Sequence, residues 1–180
     1  DNIFQVHLDE NRFGAGFSFD NHNESEARGE LIINGLVSKE EENMVMDLDI
    51  KPSSFHYDAK EWYIQPSKIR LNRDGMEIDS FGVISGEQAI GLFGKISNIS
   101  EEVLTLNLER FDLSVLNALI PSDFGISGAV TGVAELTSAH DNMEIMADIV
   151  CDSTYIADVA MGEVRMTTTW DEQEKRFNFS

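Results

Sequence analysis

The chain has one cysteine, three prolines and few basic residues among its 180 positions. With Cys151 alone, no intramolecular disulfide can form, so burial and strand pairing must hold the fold. Cys151 follows Ile149 and Val150, a setting that suits a small packed thiol better than a nucleophile. Three prolines are too few for a linker, and no Ser/Gly-rich spacer divides the chain. A single segment over 1–180 is therefore expected. Thirteen Lys and Arg stand against 33 Asp and Glu, a net charge of -20. That excess repels phosphate, so it weighs against nucleic acid and against an anionic bilayer surface as partners. No apolar run approaches the roughly 18 residues of a membrane-spanning helix.

Catalytic constellations are missing too. His7, His22, His56 and His140 lie far apart, and none has a zinc-ligand spacing with another histidine or with Cys151. There is no nucleophile elbow, phosphate loop or calcium loop. Asp47 and Asp49 share one side of a strand pattern, and Asp148 and Asp152 lie close in sequence. Paired carboxylates of the glycosidase kind must face each other across a cleft, whereas neighbouring acids along one strand are usually solvated. Lys39-Glu40-Glu41-Glu42 reads as a charged hairpin tip. The expectation is a protein with no enzyme activity, no metal and no cofactor.

What the chain does have is alternation. Met44, Met46, Leu48 and Ile50 alternate with Val45, Asp47 and Asp49, and Leu104, Leu106 and Leu108 alternate with Thr105 and Asn107. Ile145, Ala147 and Ile149 alternate with Met146 and Asp148. Further period-two runs fall near 3–8, 13–19, 28–37, 62–71, 76–84, 88–96, 128–137, 154–159, 161–170 and 175–180. Turn-rich breaks separate them, including Asp74-Gly75, where glycine would accept a positive φ in a tight hairpin. Regular short strands of this kind predict an all-β fold. Paired glycines recur inside apolar strands, as in Gly91–Gly94 and Gly128–Gly132, and such glycines permit bends and bulges. They suggest a sheet that curls.

One stretch breaks the pattern. Leu113, Leu116 and Ile120 share a helical face, Asp112 is placed to cap it, and Pro121 ends it. A short α-helix near 112–120 is expected, docked on the sheet through those three residues. An apolar sheet face must be buried by a second layer or filled by a ligand. The candidate lining of such a groove is Ile90, Leu92, Leu104, Leu106, Leu108, Val130, Ala134, Ile145, Ala147 and Ile149.

From Trp62 onwards the order of motifs resembles a known family. Trp62-Tyr63-Ile64-Gln65-Pro66-Ser67 is followed by Gln88-Ala89-Ile90-Gly91-Leu92-Phe93-Gly94-Lys95 and by Leu104–Leu113. The double-glycine run at 128–136, Met161-Gly162-Glu163-Val164 and Thr169-Trp170-Asp171 complete it. This order is similar to the C-terminal region of the TamB-like family, the translocation and assembly module subunits within the AsmA-like group, and its opening resembles Bacteroidetes-type members. Residues 1–61 match only as generic strands.

The resemblance implies an elongated curled sheet, or β-taco, with an apolar inner trough. It implies a periplasmic segment of an inner-membrane-anchored protein of a Gram-negative bacterium, and an outer-membrane β-barrel partner of the Omp85 type. It further implies contact with phospholipid acyl chains, transport of phospholipid between the two membranes, and a role in outer-membrane protein assembly. Asp1 opens directly into a strand pattern and the chain stops inside an alternating run, so a piece of a longer protein is expected. Two other readings fit the same residues. One is a scaffold that offers strand edges to nascent barrel proteins by β-augmentation. The other is a closed extracellular β-sandwich for adhesion or glycan binding.

Overall fold

The fold is seen in a computed structural model that describes residues 2–21, 27–40, 42–57, 59–99, 101–118, 125–137, 144–157, 159–171 and 176–179. It is nearly all β, as the alternation predicts, and its strands join in one large antiparallel sheet. In chain order they are β1 (Asn2–Asp9), β2 (Arg12–Asn21), β3 (Ala27–Glu40), β4 (Asn43–Ile50), β5 (Ser53–Tyr57), β6 (Lys60–Ile64) and β7 (Ser67–Leu71). They continue with β8 (Gly75–Ser85), β9 (Gln88–Ser97), β10 (Val103–Asp112), β11 (Ile126–Thr137), β12 (Glu144–Ile156), β13 (Val159–Asp171) and β14 (Arg176–Phe179).

The path through the sheet is simpler than the strand count suggests. β4 and β5 lie end to end beside β3, with Ile50 opposite Ile33 and Phe55 opposite Gly29. β7 and β6 lie end to end beside β8, with Ile69 opposite Ile78 and Ile64 opposite Val83. Ile50 faces Ser67 and Ser53 faces Ile64, so both breaks fall at one level. Lys51-Pro52 makes one break and Gln65-Pro66 makes the other. Proline has no N–H to give a ladder, so an interruption at each is expected. The residue before each proline stays tied to the flanking strand: Lys51 N donates to Ile32 O at 2.9 Å, and Gln65 N to Gly82 O at 2.8 Å. With each interrupted pair counted as one strand, the chain is an up-and-down meander in which neighbours in sequence are neighbours in space.

Registry then sorts the side chains. Residues directly opposite in an antiparallel ladder point to the same face. One row starts Leu8, Phe13, Gly35, Leu48, Ile69 across β1, β2, β3, β4 and β7. It continues Ile78, Gly94, Leu104, Leu136, Ile145 across β8 to β12. Ten strands thus place an apolar residue or a glycine on the same face at the same level. The row beside it runs Arg12, Leu36, Asp47, Arg70, Glu77, Lys95 and belongs to the opposite face. There Arg70 pairs with Asp47 at 3.4 Å and with Glu40, and Lys95 pairs with Glu102 at 2.6 Å. These are half-exposed ion pairs that add little to stability but keep that face wet.

The core sits at the middle of the apolar face. Ile78, Ile96 and Leu104 are buried, with Ile69, Met76, Phe81, Leu92 and Leu136 packed against them. Burial falls away towards the β1 edge, where Phe4 is 68% exposed and Leu8 75%. Among the described residues no second sheet covers this face.

Some expectations are corrected. In place of the short α-helix near 112–120, β10 runs on to Asp112 and the described residues that follow, Leu113–Ala118, form a 3₁₀ helix. Leu113 is buried, as docking requires. Ile120 lies outside the described residues, as does the side chain of Leu116. The 72–75 hairpin is closed by Asn72, not by a positive φ at Gly75: Asn72 Oδ1 accepts from Asp74 N at 2.9 Å and from Gly75 N at 2.8 Å. Met44 is 60% exposed although Met46, Leu48 and Ile50 are not, because β7 ends opposite Met46 and leaves Met44 a partner only on β3.

Candidate apolar binding face

All ten candidate groove residues fall on the apolar face. Ile90 is opposite Leu108, and Leu92 opposite Leu106. Leu106 is opposite Ala134, and Leu104 opposite Leu136. Ala134 is in turn opposite Ala147, Leu136 opposite Ile145, Gly132 opposite Ile149, and Val130 opposite Cys151. Leu104 and Val130 are buried, and the other eight are half-buried. Cys151 is also half-buried, and burial, with Asp152 beside it, pushes its thiol up from the ordinary value.

The strands of 1–61, generic as far as the resemblance goes, extend the same face. Phe4 is opposite Phe17, which is opposite Leu31, and Val6 is opposite Ala15, which is opposite Ile33. The rings of Phe17 and Phe19 stack at 5.7 Å. Phe13 lies over Gly35, where an added Cβ would stand 2.1 Å from its ring.

The aromatic part of this face holds an open cavity of about 390 Å³ lined by Phe55, Tyr57, Trp62, Val83, Ile90, Phe111 and Val115. Phe55 and Trp62, cross-strand partners, have parallel rings 6.0 Å apart, tilted by only 4°. Trp62 is 4% exposed, and its ring lies 6.5 Å from that of Phe111 although β8 and β9 separate their strands. Phe111 gains this position through a bulge between Leu108 and Phe111, next to Arg110 at φ 45°. Trp62 Nε1 and, further along the face, Ser67 Oγ are buried without a hydrogen-bond partner.

The 3₁₀ helix is fastened beside this cavity by Asp112. Its Oδ2 accepts from Lys60 Nζ at 2.9 Å, its Oδ1 accepts from Ser114 N at 2.9 Å, and its own N–H donates to Gln88 Oε1 at 3.1 Å. Burial pushes the Asp112 carboxyl up, but the hydrogen bonds from Ser114 and Lys60 and the Lys60 charge outweigh it, so the group titrates below its ordinary value. A carboxyl depressed by folding stabilises the fold above its unfolded pKa and loses that contribution as pH falls through its folded pKa. Acidification below the ordinary carboxylate range is therefore expected to release the 3₁₀ helix from Lys60. Emission of Trp62, isolated by Trp170→Phe, should shift to the red in that range, and Asp112→Asn should remove the pH dependence. An acid shift that survives Asp112→Asn would count against this assignment.

The other face has a larger depression of about 670 Å³, lined by Arg12, Asp47, Lys68, Arg70, Glu77 and Asp79 among others. Two of its acids are paired: Asp47 with Arg70, and Asp49 with Lys51 outside the lining. Asp148 and Asp152 are exposed on β12, His7 is exposed and His56 half-buried. His22 and His140 lie outside the described residues. No group of three or more His, Cys, Asp or Glu is placed to hold a metal ion among the described residues.

No protein-family model, curated protein or solved structure matches this chain. The TamB-like resemblance therefore rests on the residues that carry it, and the chemistry of the site rests on the apolar face.

Proposed function

We propose that this chain is a non-enzymatic segment that carries phospholipid acyl chains along its apolar face, as part of a TamB-like conduit between the inner and outer membranes. In this reading it sits in the periplasm, reaches an outer-membrane β-barrel partner and contributes to outer-membrane protein assembly. The observation that carries the proposal is the unbroken apolar row across ten strands of a single layer. An apolar surface holds an acyl chain at roughly 0.8 kcal/mol per methylene and has no fixed polar stop, so the chain can slide.

Curling of the sheet into a trough belongs to the same proposal. Three features support it: the two proline breaks at one level, the bulges in β8, β10, β12 and β13, and the burial of Ile78 to 3% although no second sheet covers it among the described residues. The acidic outer face would hold the segment in solution and away from anionic headgroups.

A photocrosslinker at position 106 tests the reading. In the full-length protein in cells it should capture phospholipid, and Leu106→Asp should abolish capture from position 92 while the isolated segment keeps its circular dichroism. A folded protein that captures no lipid from either position would overturn the conduit. Saturable capture of barrel-derived peptides in place of lipid would favour the scaffold. That second reading has its own support in the β1 edge, where Ile3, Phe4, Val6 and Leu8 are all at least half exposed.

A further inference from the structure

We infer that the cavity beside the 3₁₀ helix is a chain-end subsite that takes the methyl terminus of one alkyl chain. The inference rests on the acyl-chain reading and goes beyond it, because it gives one place on the face a shape of its own.

Size comes first. At about 390 Å³ the cavity is near the lower limit of small-molecule pockets, roughly 300 to 1,000 Å³, which suits the end of one chain. Chemistry comes second. Its lining is aromatic and aliphatic; only Tyr57 and Trp62 bear a polar side-chain atom, and Trp62 Nε1 is buried away from the surface, so the part of a ligand that enters should carry no polar group. An amphiphile must then enter methyl end first. Continuity is the third point. Ile90 and Val83 line the cavity and also stand opposite each other on the apolar face, so a chain lying on that face can run into it. Preorganisation is the fourth. The Phe55–Trp62 pair forms one wall, and Asp112, held by Lys60, Ser114 and Gln88, fixes the helix that brings Val115 to the lining. Along Leu92, Leu106, Ala134 and Ala147 the face is aliphatic, which suits sliding. Here four aromatic side chains and a fastened helix suit arrest, so the cavity would register chain length.

The test uses sodium alkanoates from octanoate to stearate, titrated into the purified chain by calorimetry. Affinity should rise with each added methylene and then level off when the cavity is full. Val115→Trp fills the cavity and should bring the plateau to a shorter chain, weakening stearate about tenfold, the loss of roughly two buried methylenes. Phe111→Ala enlarges it and should move the plateau to a longer chain, which keeps the test valid if the tryptophan variant fails to fold. As an independent reading, a fatty acid brominated at its terminal carbon should quench Trp62 in the Trp170→Phe background more strongly than one brominated near the carboxylate.

Identical plateaus in all three proteins, or stronger quenching by the head-proximal bromine, would overturn the subsite. Should position 106 still capture phospholipid in that case, the conduit stands and only the subsite falls. Should the alkanoate results hold while position 106 captures nothing, the subsite stands as a site for free chains and the conduit falls.

Discussion

Ile78→Asp is expected to unfold the protein. Ile78 is 3% exposed at the centre of the apolar face, opposite Ile69 on one side and Gly94 on the other, and clustered with Ile96 and Leu104. A carboxylate there would be buried without a partner, at a cost of about 4 kcal/mol or more. Domains of this size have only about 5 to 15 kcal/mol in total, so most of the stability would be lost. Ile78→Val removes one methylene and should cost only about 1 kcal/mol. Phe4→Asp, at a position 68% exposed, should change stability by less than roughly 0.5 kcal/mol. Urea denaturation followed by circular dichroism would rank the three. A folded Ile78→Asp with an unchanged midpoint would mean that water reaches the centre of the face as freely as its edge.

Gly94→Val should be nearly as damaging, for a backbone reason. Gly94 has φ 109°, a conformation that side chains other than glycine rarely adopt. A Cβ built there would stand 2.2 Å from the carbonyl oxygen of Val103 on the neighbouring strand. Strain and clash together are expected to cost about 3 kcal/mol or more, and to displace β10 from β9. Gly91→Val is the matched control. The same strand has room there, since the nearest atom to an added Cβ is Asn107 Cβ at 3.8 Å, and valine favours strands. Equal midpoints for the two valine variants would show that the turn of the chain at Gly94 can relax without loss.

These two positions mark what alternation makes legible and what it leaves hidden. Period two assigns Leu104, Leu106 and Leu108 to one side of β10 without any knowledge of the partner strand. The same holds for Ile145, Ala147 and Ile149 on β12, so the shared face of the ten groove candidates could be anticipated. β5 was missed because Ser53-Ser54-Phe55-His56-Tyr57 has few apolar residues and follows Pro52. The run at 62–71 was read as one strand because its alternation continues on either side of Pro66, and only the ladder reveals the break.

The aromatic cavity was missed for a different reason. Trp62 reads as isolated in sequence, yet it stacks on Phe55 across the β5–β6 ladder and reaches Phe111 across two intervening strands. Contacts of the first kind can be sought by pairing aromatics symmetrically about a turn. Contacts of the second kind depend on a bulge at Leu108/Phe111 that no period predicts. The 3₁₀ helix reads as α in sequence because the Leu113–Leu116 spacing of three fits either winding over so few residues.

The meander has a consequence for how such a chain can change its length. With each interrupted pair counted as one strand, every strand is laddered to those before and after it, so away from the Trp62–Phe111 and Lys60–Asp112 contacts gain or loss of one hairpin leaves the other ladders intact, and stability should add up nearly unit by unit, as in solenoids. An insertion of two strands leaves the direction of every following strand unchanged and can keep its greasy side aligned with the rest. A single added strand reverses the direction of all that follow. Growth by whole hairpins is then the route by which a protein built this way could be lengthened to span a wider gap.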